Sequence, residues 1–149
     1  MKKAAKKRLL ATDVGGVLKE HRRFPGDEKV RWVPKSKWAL KKLCKKRKLY
    51  IISYVRPGRS DLLRKTLRAS FVPDYIPEKR WHFVHSRPAK IDIMKKYGIP
   101  TLIDDRPDII GWVEEAGLRG ILFRGQDYPD WKHVVHSVLS MDSVHLEDC

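Results

Sequence analysis

Cysteine is nearly absent from this sequence: Cys44 and Cys149 are the only two. Two thiols, one of them the final residue, make no disulfide framework, so a reducing, cytoplasmic location is expected. Long apolar runs are missing too, which leaves nothing of the ~20-residue length that a membrane-spanning helix needs. The basic start, MKKAAKKRLLATD, places only Leu9, Leu10 and Ala11 ahead of Thr12 and Asp13. That is too short for the apolar segment of a secretory signal, so residues 1–7 read as a basic N-terminal tail. Acidic residues are scarce early on: residues 1–100 hold 8 Asp/Glu against 29 Lys/Arg, whereas residues 101–149 hold 10 against 4. VGGVLK lacks the G-x-x-x-x-G-K-[ST] spacing that cradles a nucleotide. No internal repeat or linker interrupts the chain, so one domain is expected over residues 1–149.

What remains is a globular composition, 42% hydrophobic, with a net charge of +15. Charge of that size favours anionic partners, nucleic acid or another polyanion among them, and makes their capture salt-dependent. A solvated, solubilising surface accounts for it equally well. Eight lysines and arginines fall between Lys35 and Lys48, on or beside one helix. Trp32 and Trp81 are available to stack on bases, though packing is the commoner role for tryptophan.

Five short apolar runs read as buried strands: Arg8–Thr12, Lys48–Ser53, Trp81–Val84, Thr101–Ile103 and Gly120–Phe123. Helical spacing appears over Pro34–Lys46, Asp61–Ala69 with Ser60 as its cap, Ala89–Lys96, Pro107–Ala116 and Tyr128–Leu139. Strands alternating with helices predict an α/β fold: a single Rossmann-like, three-layer domain around a mainly parallel five-stranded sheet. Residues 19–33 read as a flap-like loop turning at Pro25-Gly26-Asp27, residues 71–80 as an irregular surface loop, and residues 140–149 as a C-terminal tail.

Asp13 ends the first strand, and Asp104 and Asp105 end the fourth. Chemistry in an open parallel sheet collects beyond the carboxyl ends of the strands, where the strand order reverses. If these two strands are neighbours, three carboxylates converge, and an all-oxygen donor set of that kind suits Mg²⁺. Ser53 ends the second strand with a hydroxyl suited to a phosphoryl oxygen, and Lys90 offers a positive charge. Taken alone, Asp13 before Gly15 and Gly16 is ordinary turn chemistry. The histidines are weaker signals. His82 and His85 would point to opposite faces of a strand, and His133 and His136 share a helix face without a third ligand. Cys44 reads as a packed thiol.

The ordered set of Asp13, Ser53, Lys90 and Asp104–Asp105, with its DDRPD segment, resembles the four motifs of the haloacid dehalogenase (HAD) superfamily of aspartate-nucleophile phosphotransferases, over about residues 8–125. The resemblance implies a HAD-like fold and a Mg²⁺-dependent phosphatase acting on a phosphorylated substrate. Asp13 would be the nucleophile, Ser53 and Lys90 would hold the phosphoryl group, and Asp13, the Gly15 carbonyl, Asp104 and Asp105 would bind the metal. Gly15, Gly16, Arg56 and Arg59 are the candidate substrate contacts. The gaps between motifs are short, which implies no cap domain and an open site, suited to a macromolecular phosphate or closed by a partner subunit. Gly15 departs from the pattern, because the phosphatases usually carry an aspartate there as proton shuttle. Losing such a group costs about 10²–10⁴ in rate. Either another acid serves (Glu20, His21 or Asp27), or the leaving group needs no proton, or the chain is an inactive module that binds nucleic acid through its basic surface.

Overall fold

The computed structural model describes residues 6–21 and 29–147, with side chains to residue 140. Ten main elements alternate along the chain: β1 (Arg8–Thr12), α1 (Ser36–Leu43), β2 (Arg47–Tyr54), α2 (Ser60–Arg68), β3 (Trp81–Val84), α3 (Ala89–Tyr97), β4 (Thr101–Asp104), α4 (Pro107–Glu115), β5 (Arg119–Leu122) and α5 (Trp131–Glu147). The five strands form one sheet in the order β3-β2-β1-β4-β5, with every pair parallel.

The strands read as near-continuous apolar runs because both faces of the sheet are covered. Alternate residues serve opposite layers. Leu10, Leu49, Ile51, Ile103 and Ile121 join a core with Leu40 and Leu43 of α1, Leu67 of α2 and the Trp131–Val138 stripe of α5. Ala11, Tyr50, Ile52 and Leu102 pack on the other face, against Met94 of α3 and Ile109 and Val113 of α4. This is the expected three-layer α/β arrangement. Among the described residues no helix is long and apolar enough to cross a membrane.

Several local expectations need correction. Ser60 begins α2 as its first residue, and the helix has no side-chain cap. α1 starts at Ser36 and not Pro34, because Lys35 stands before it in the left-handed region at φ 66°. α5 continues through Glu147, so most of residues 140–149 extend the helix instead of forming a tail. Residues 71–80 are not an irregular surface loop: they hold two 3₁₀ turns, Val72–Asp74 and Glu78–Arg80, and bury Val72 and Ile76 completely. Arg47, placed by the sequence in a basic surface stretch, is buried at the start of β2 and donates to the carbonyls of Lys46 and Val138, both at 3.1 Å. Trp81 is a core residue whose indole N–H donates to Ile76 O at 2.9 Å, so it is not free to stack on a base.

After β1 the chain makes a tight turn that buries Val14, Val17 and Leu18. The two ends of the expected flap, residues 19–33, then pair: Glu20 N donates to Arg31 O at 2.8 Å and Val33 N to Leu18 O at 2.9 Å. The expected apex at Pro25-Gly26-Asp27 lies outside the described residues. Trp131, fully buried, donates its indole N–H to Val17 O at 2.8 Å and so fixes this turn against α5.

Candidate active site

The strand order reverses between β1 and β4, so the crevice beyond their carboxyl ends is where an α/β sheet of this kind places ligands. Asp13 N donates to Ile103 O at 2.9 Å, which carries the pairing one residue past β1 and sets Asp13 beside Asp104. The carboxylate oxygens that Asp13, Asp104 and Asp105 offer lie within 4.8 Å of one another. The sequence brought three carboxylates to two strand ends; the neighbouring strands bring them to one point.

Lys90, in the first turn of α3, is 1% exposed and reaches both buried carboxylates. Its Nζ donates to Asp104 Oδ2 at 2.7 Å and lies 3.3 Å from Asp13 Oδ1. Asp13 Oδ1 also accepts from Val14 N at 2.8 Å, and Asp104 Oδ1 accepts from Arg106 N at 3.1 Å. With both oxygens engaged and no exposure, Asp104 holds Lys90, while Asp105 stands on the cleft wall. Burial, more than any other cause, pushes the Asp13 carboxyl up to about 7; Lys90 opposes the rise, and Asp104 and Asp105 add to it. Burial also raises Asp104, against the pull of Lys90. One ammonium thus sits among three carboxylates, and the negative charge is under-compensated. An all-oxygen, net-negative donor set of this size fits a hard divalent cation such as Mg²⁺.

Ser53, at the end of β2 and 3% exposed, lines the same cleft of about 550 Å³ as Asp13, Gly15, Lys90 and Asp105. Arg56 and Arg59 line it farther out. Gly16 is not part of the lining. Its φ of +77° excludes most side chains, and a Cβ there would fall 2.1 Å from Asp105 Oδ2. Its role is to let Asp105 and the turn approach each other.

The departure at position 15 has a structural counterpart. A Cβ on Gly15 would meet His21 Cε1 at 3.2 Å, so His21 occupies the space that an acid at 15 would enter. His21 Nε2 lies 3.1 Å from Asp105 Oδ2. Of the other candidate acids, Glu20 is held by Arg124, whose Nη1 donates to it at 2.9 Å, and Asp27 lies outside the described residues. Among the three, only geometry could single out His21. Arg31 and Arg87 also line the cleft and were missed, because nothing in their local pattern reveals which strand end they face. The weaker signals of the sequence gain nothing from the fold: His133 pairs with Asp130 at the start of α5, at 2.7 Å, and Cys44 packs against the core.

The sequence matches no family model and no curated protein. Solved structures do match. An uncharacterized protein from Listeria monocytogenes serotype 4b superposes with a TM-score of 0.71 at 14% identity, over 91% of this chain and 99% of that one. A haloacid dehalogenase-like family hydrolase from Xanthomonas campestris gives 0.63 at 16% identity over 78% of this chain. A putative haloacid dehalogenase-like hydrolase from Burkholderia xenovorans LB400 gives 0.51 at 21% identity over 66%. This chain spans 57% and 46% of the lengths of those two hydrolases. At such identities the likeness is one of architecture, and the chain has the fold of the haloacid dehalogenase-like hydrolases.

Proposed function

We propose that the chain is a Mg²⁺-dependent phosphohydrolase with Asp13 as nucleophile. The observation that carries this reading is the convergence of Asp13, Ser53, Lys90 and Asp105 on one cleft at the switch point of the sheet. The Asp13 carboxylate attacks the phosphorus of a phosphomonoester, the ester P–O bond breaks, and the leaving oxygen takes up a proton. Water then attacks the phosphorus of the aspartyl-phosphate, which frees inorganic phosphate and restores Asp13. The Ser53 hydroxyl and Lys90 ammonium hold the phosphoryl oxygens and stabilise their charge. Asp13, the Gly15 carbonyl and Asp105 would hold Mg²⁺, which supplies positive charge beside the phosphoryl group when bound. Asp104 acts by positioning Lys90.

The test is Mg²⁺-dependent phosphate release from an aryl phosphate, compared with Asp13→Asn. The substitution is expected to lower release at least about a thousandfold; equal release from both proteins would remove Asp13 as nucleophile. Stability should move the other way. A carboxyl raised to about 7 by burial destabilises the folded state when ionised. That cost is absent below the unfolded value near 3.8, accumulates as pH rises towards about 7, and is complete above it. At pH 8 in EDTA, Asp13→Asn is therefore expected to raise the melting temperature, by about 2–4 °C for each kcal/mol relieved.

His21 stands in for the missing acid and protonates the leaving oxygen. His21→Ala is expected to slow alkyl phosphates by about 10²-fold and aryl phosphates much less, because a phenolate leaves without help. Gly15→Asp in the His21→Ala background should restore alkyl turnover, since removing the imidazole opens the space beside position 15. If the two substrate classes slow equally, His21 is not the proton donor.

The glycine at position 15 and the excess charge of residues 1–100 favour one other reading: a module that binds nucleic acid without turnover. It predicts strongly salt-sensitive binding that survives Asp13→Asn, in a protein that releases no phosphate.

A further inference from the structure

The cleft is larger than a phosphoryl group requires. Its volume of about 550 Å³ lies within the range of pockets that enclose a whole small molecule. Ser53, Lys90 and the carboxylates account only for its floor. Around its mouth stand Arg31, Arg56 and Arg59, all exposed. The cleft's other two arginines are engaged: Arg87 lies 4.5 Å over the Tyr54 ring, and Arg106 pairs with Asp108 at 3.0 Å. Among the described residues no carboxylate pairs with Arg31, Arg56 or Arg59. Exposed guanidiniums that no carboxylate pairs with are available to an anion entering the cleft, and the guanidinium fork matches phosphate.

The same wall is partly apolar. Leu62 is 48% exposed and Val30 39%, and both line this cleft. They are two of the four large apolar side chains left exposed among the described residues. A charged rim explains an anion, whereas exposed Leu62 and Val30 call for a ligand with a flat or apolar face.

We infer that the substrate is a nucleotide carrying, besides the phosphate removed at Asp13, at least one further phosphate bound by Arg31, Arg56 and Arg59, with its base against Leu62 and Val30. This rests on the phosphohydrolase reading of the same cleft and adds its substrate class. Two sources offer that chemistry, a free nucleoside bisphosphate and the phosphorylated end of a strand.

The experiment is calorimetric titration of Asp13→Asn protein with Mg²⁺ present, so that affinity is read without turnover. The probes are a nucleoside 5′-monophosphate, a nucleoside 3′,5′-bisphosphate, a sugar bisphosphate and a 5′-phosphorylated trinucleotide. The nucleoside bisphosphate is expected to bind at least about tenfold more tightly than the monophosphate, as one added charged contact implies. The sugar bisphosphate should be weaker than the nucleoside bisphosphate by a similar factor, for want of a base. In Arg56→Gln/Arg59→Gln the gap between bisphosphate and monophosphate should shrink below threefold. The salt dependence of bisphosphate binding should flatten in parallel. A trinucleotide tighter than the bisphosphate supports a strand end, and equal affinities support the free nucleotide. Equal binding of mono- and bisphosphate overturns the inference, as does a gap that survives the double substitution or a sugar bisphosphate that binds as well. Loss of aryl phosphatase activity in wild-type protein would instead sink the parent reading, so the two failures are distinguishable. Thermal melting of the double variant confirms folding, and these exposed turn residues lie outside the core.

Discussion

Lys90→Met is expected to destabilise the protein by about 3–5 kcal/mol and to abolish phosphate release. The ammonium is 1% exposed and reaches two buried carboxylates, Asp104 at 2.7 Å and Asp13 at 3.3 Å. Methionine fills comparable space but leaves both carboxylates without their cation, in an environment that already disfavours their ionised forms. Removing one member of a buried ion pair costs more than the pair contributes, because the surviving charge keeps its desolvation penalty. Thermal melting at pH 8 in EDTA should show a fall of roughly 10 °C or more. Adding Asp104→Asn to Lys90→Met should recover part of that loss, since it removes the more deeply buried of the two orphaned carboxylates. Turnover should not return, because no ammonium faces the phosphoryl group. A double variant as unstable as Lys90→Met would show that packing around the lysine, not its charge, holds this region.

Gly16→Ala is expected to lower turnover by about 10²-fold or more, with a clear loss of Mg²⁺ affinity. The added Cβ would stand 2.1 Å from Asp105 Oδ2 and 2.5 Å from His21 Nε2, so both side chains must move. The backbone at φ +77° adds strain for any residue with a Cβ. Gly58→Ala separates the two causes. Gly58 has a similar φ of +86°, but nothing lies within 4 Å of the point where its Cβ would stand. Both substitutions should cost about 1–2 kcal/mol in backbone strain. Only Gly16→Ala should also shift the Mg²⁺ concentration needed for half-maximal activity. Equal Mg²⁺ dependence in the two variants would sink the claim that Gly16 exists to admit Asp105.

The alternation of strands and helices was legible because it is local. Apolar runs such as RLLAT and KLYIIS need only their own residues to identify them; the first is observed as a strand with the expected ends and the second is longer by one residue at each end. Boundaries set by tertiary contacts were not legible. Val72 and Ile76 sit in a proline-bearing segment with no periodicity, yet the core claims both. Arg47 sits among lysines, yet besides its neighbour's carbonyl it reaches Val138 O, 91 residues away. Helix α5 runs on to Glu147, past Leu139 where the local pattern had placed its end.

For the site itself, the sequence determined the chemical types and their order: Asp13, Ser53, Lys90, Asp104 and Asp105, each at or beside the end of a predicted element. That much follows from spacing along one chain. Tertiary structure alone decided that β1 and β4 are neighbours, which turns separate carboxylates into one cluster. It also divided the labour within the pair, burying Asp104 against Lys90 and leaving Asp105 on the cleft. At position 15 the sequence could register only a missing side chain. The fold supplied the neighbour, His21, because the backbone pairing of Glu20 with Arg31 carries the adjacent imidazole back over the turn. Through-space proximity between residues distant in the chain is set by packing, and no local pattern encodes it.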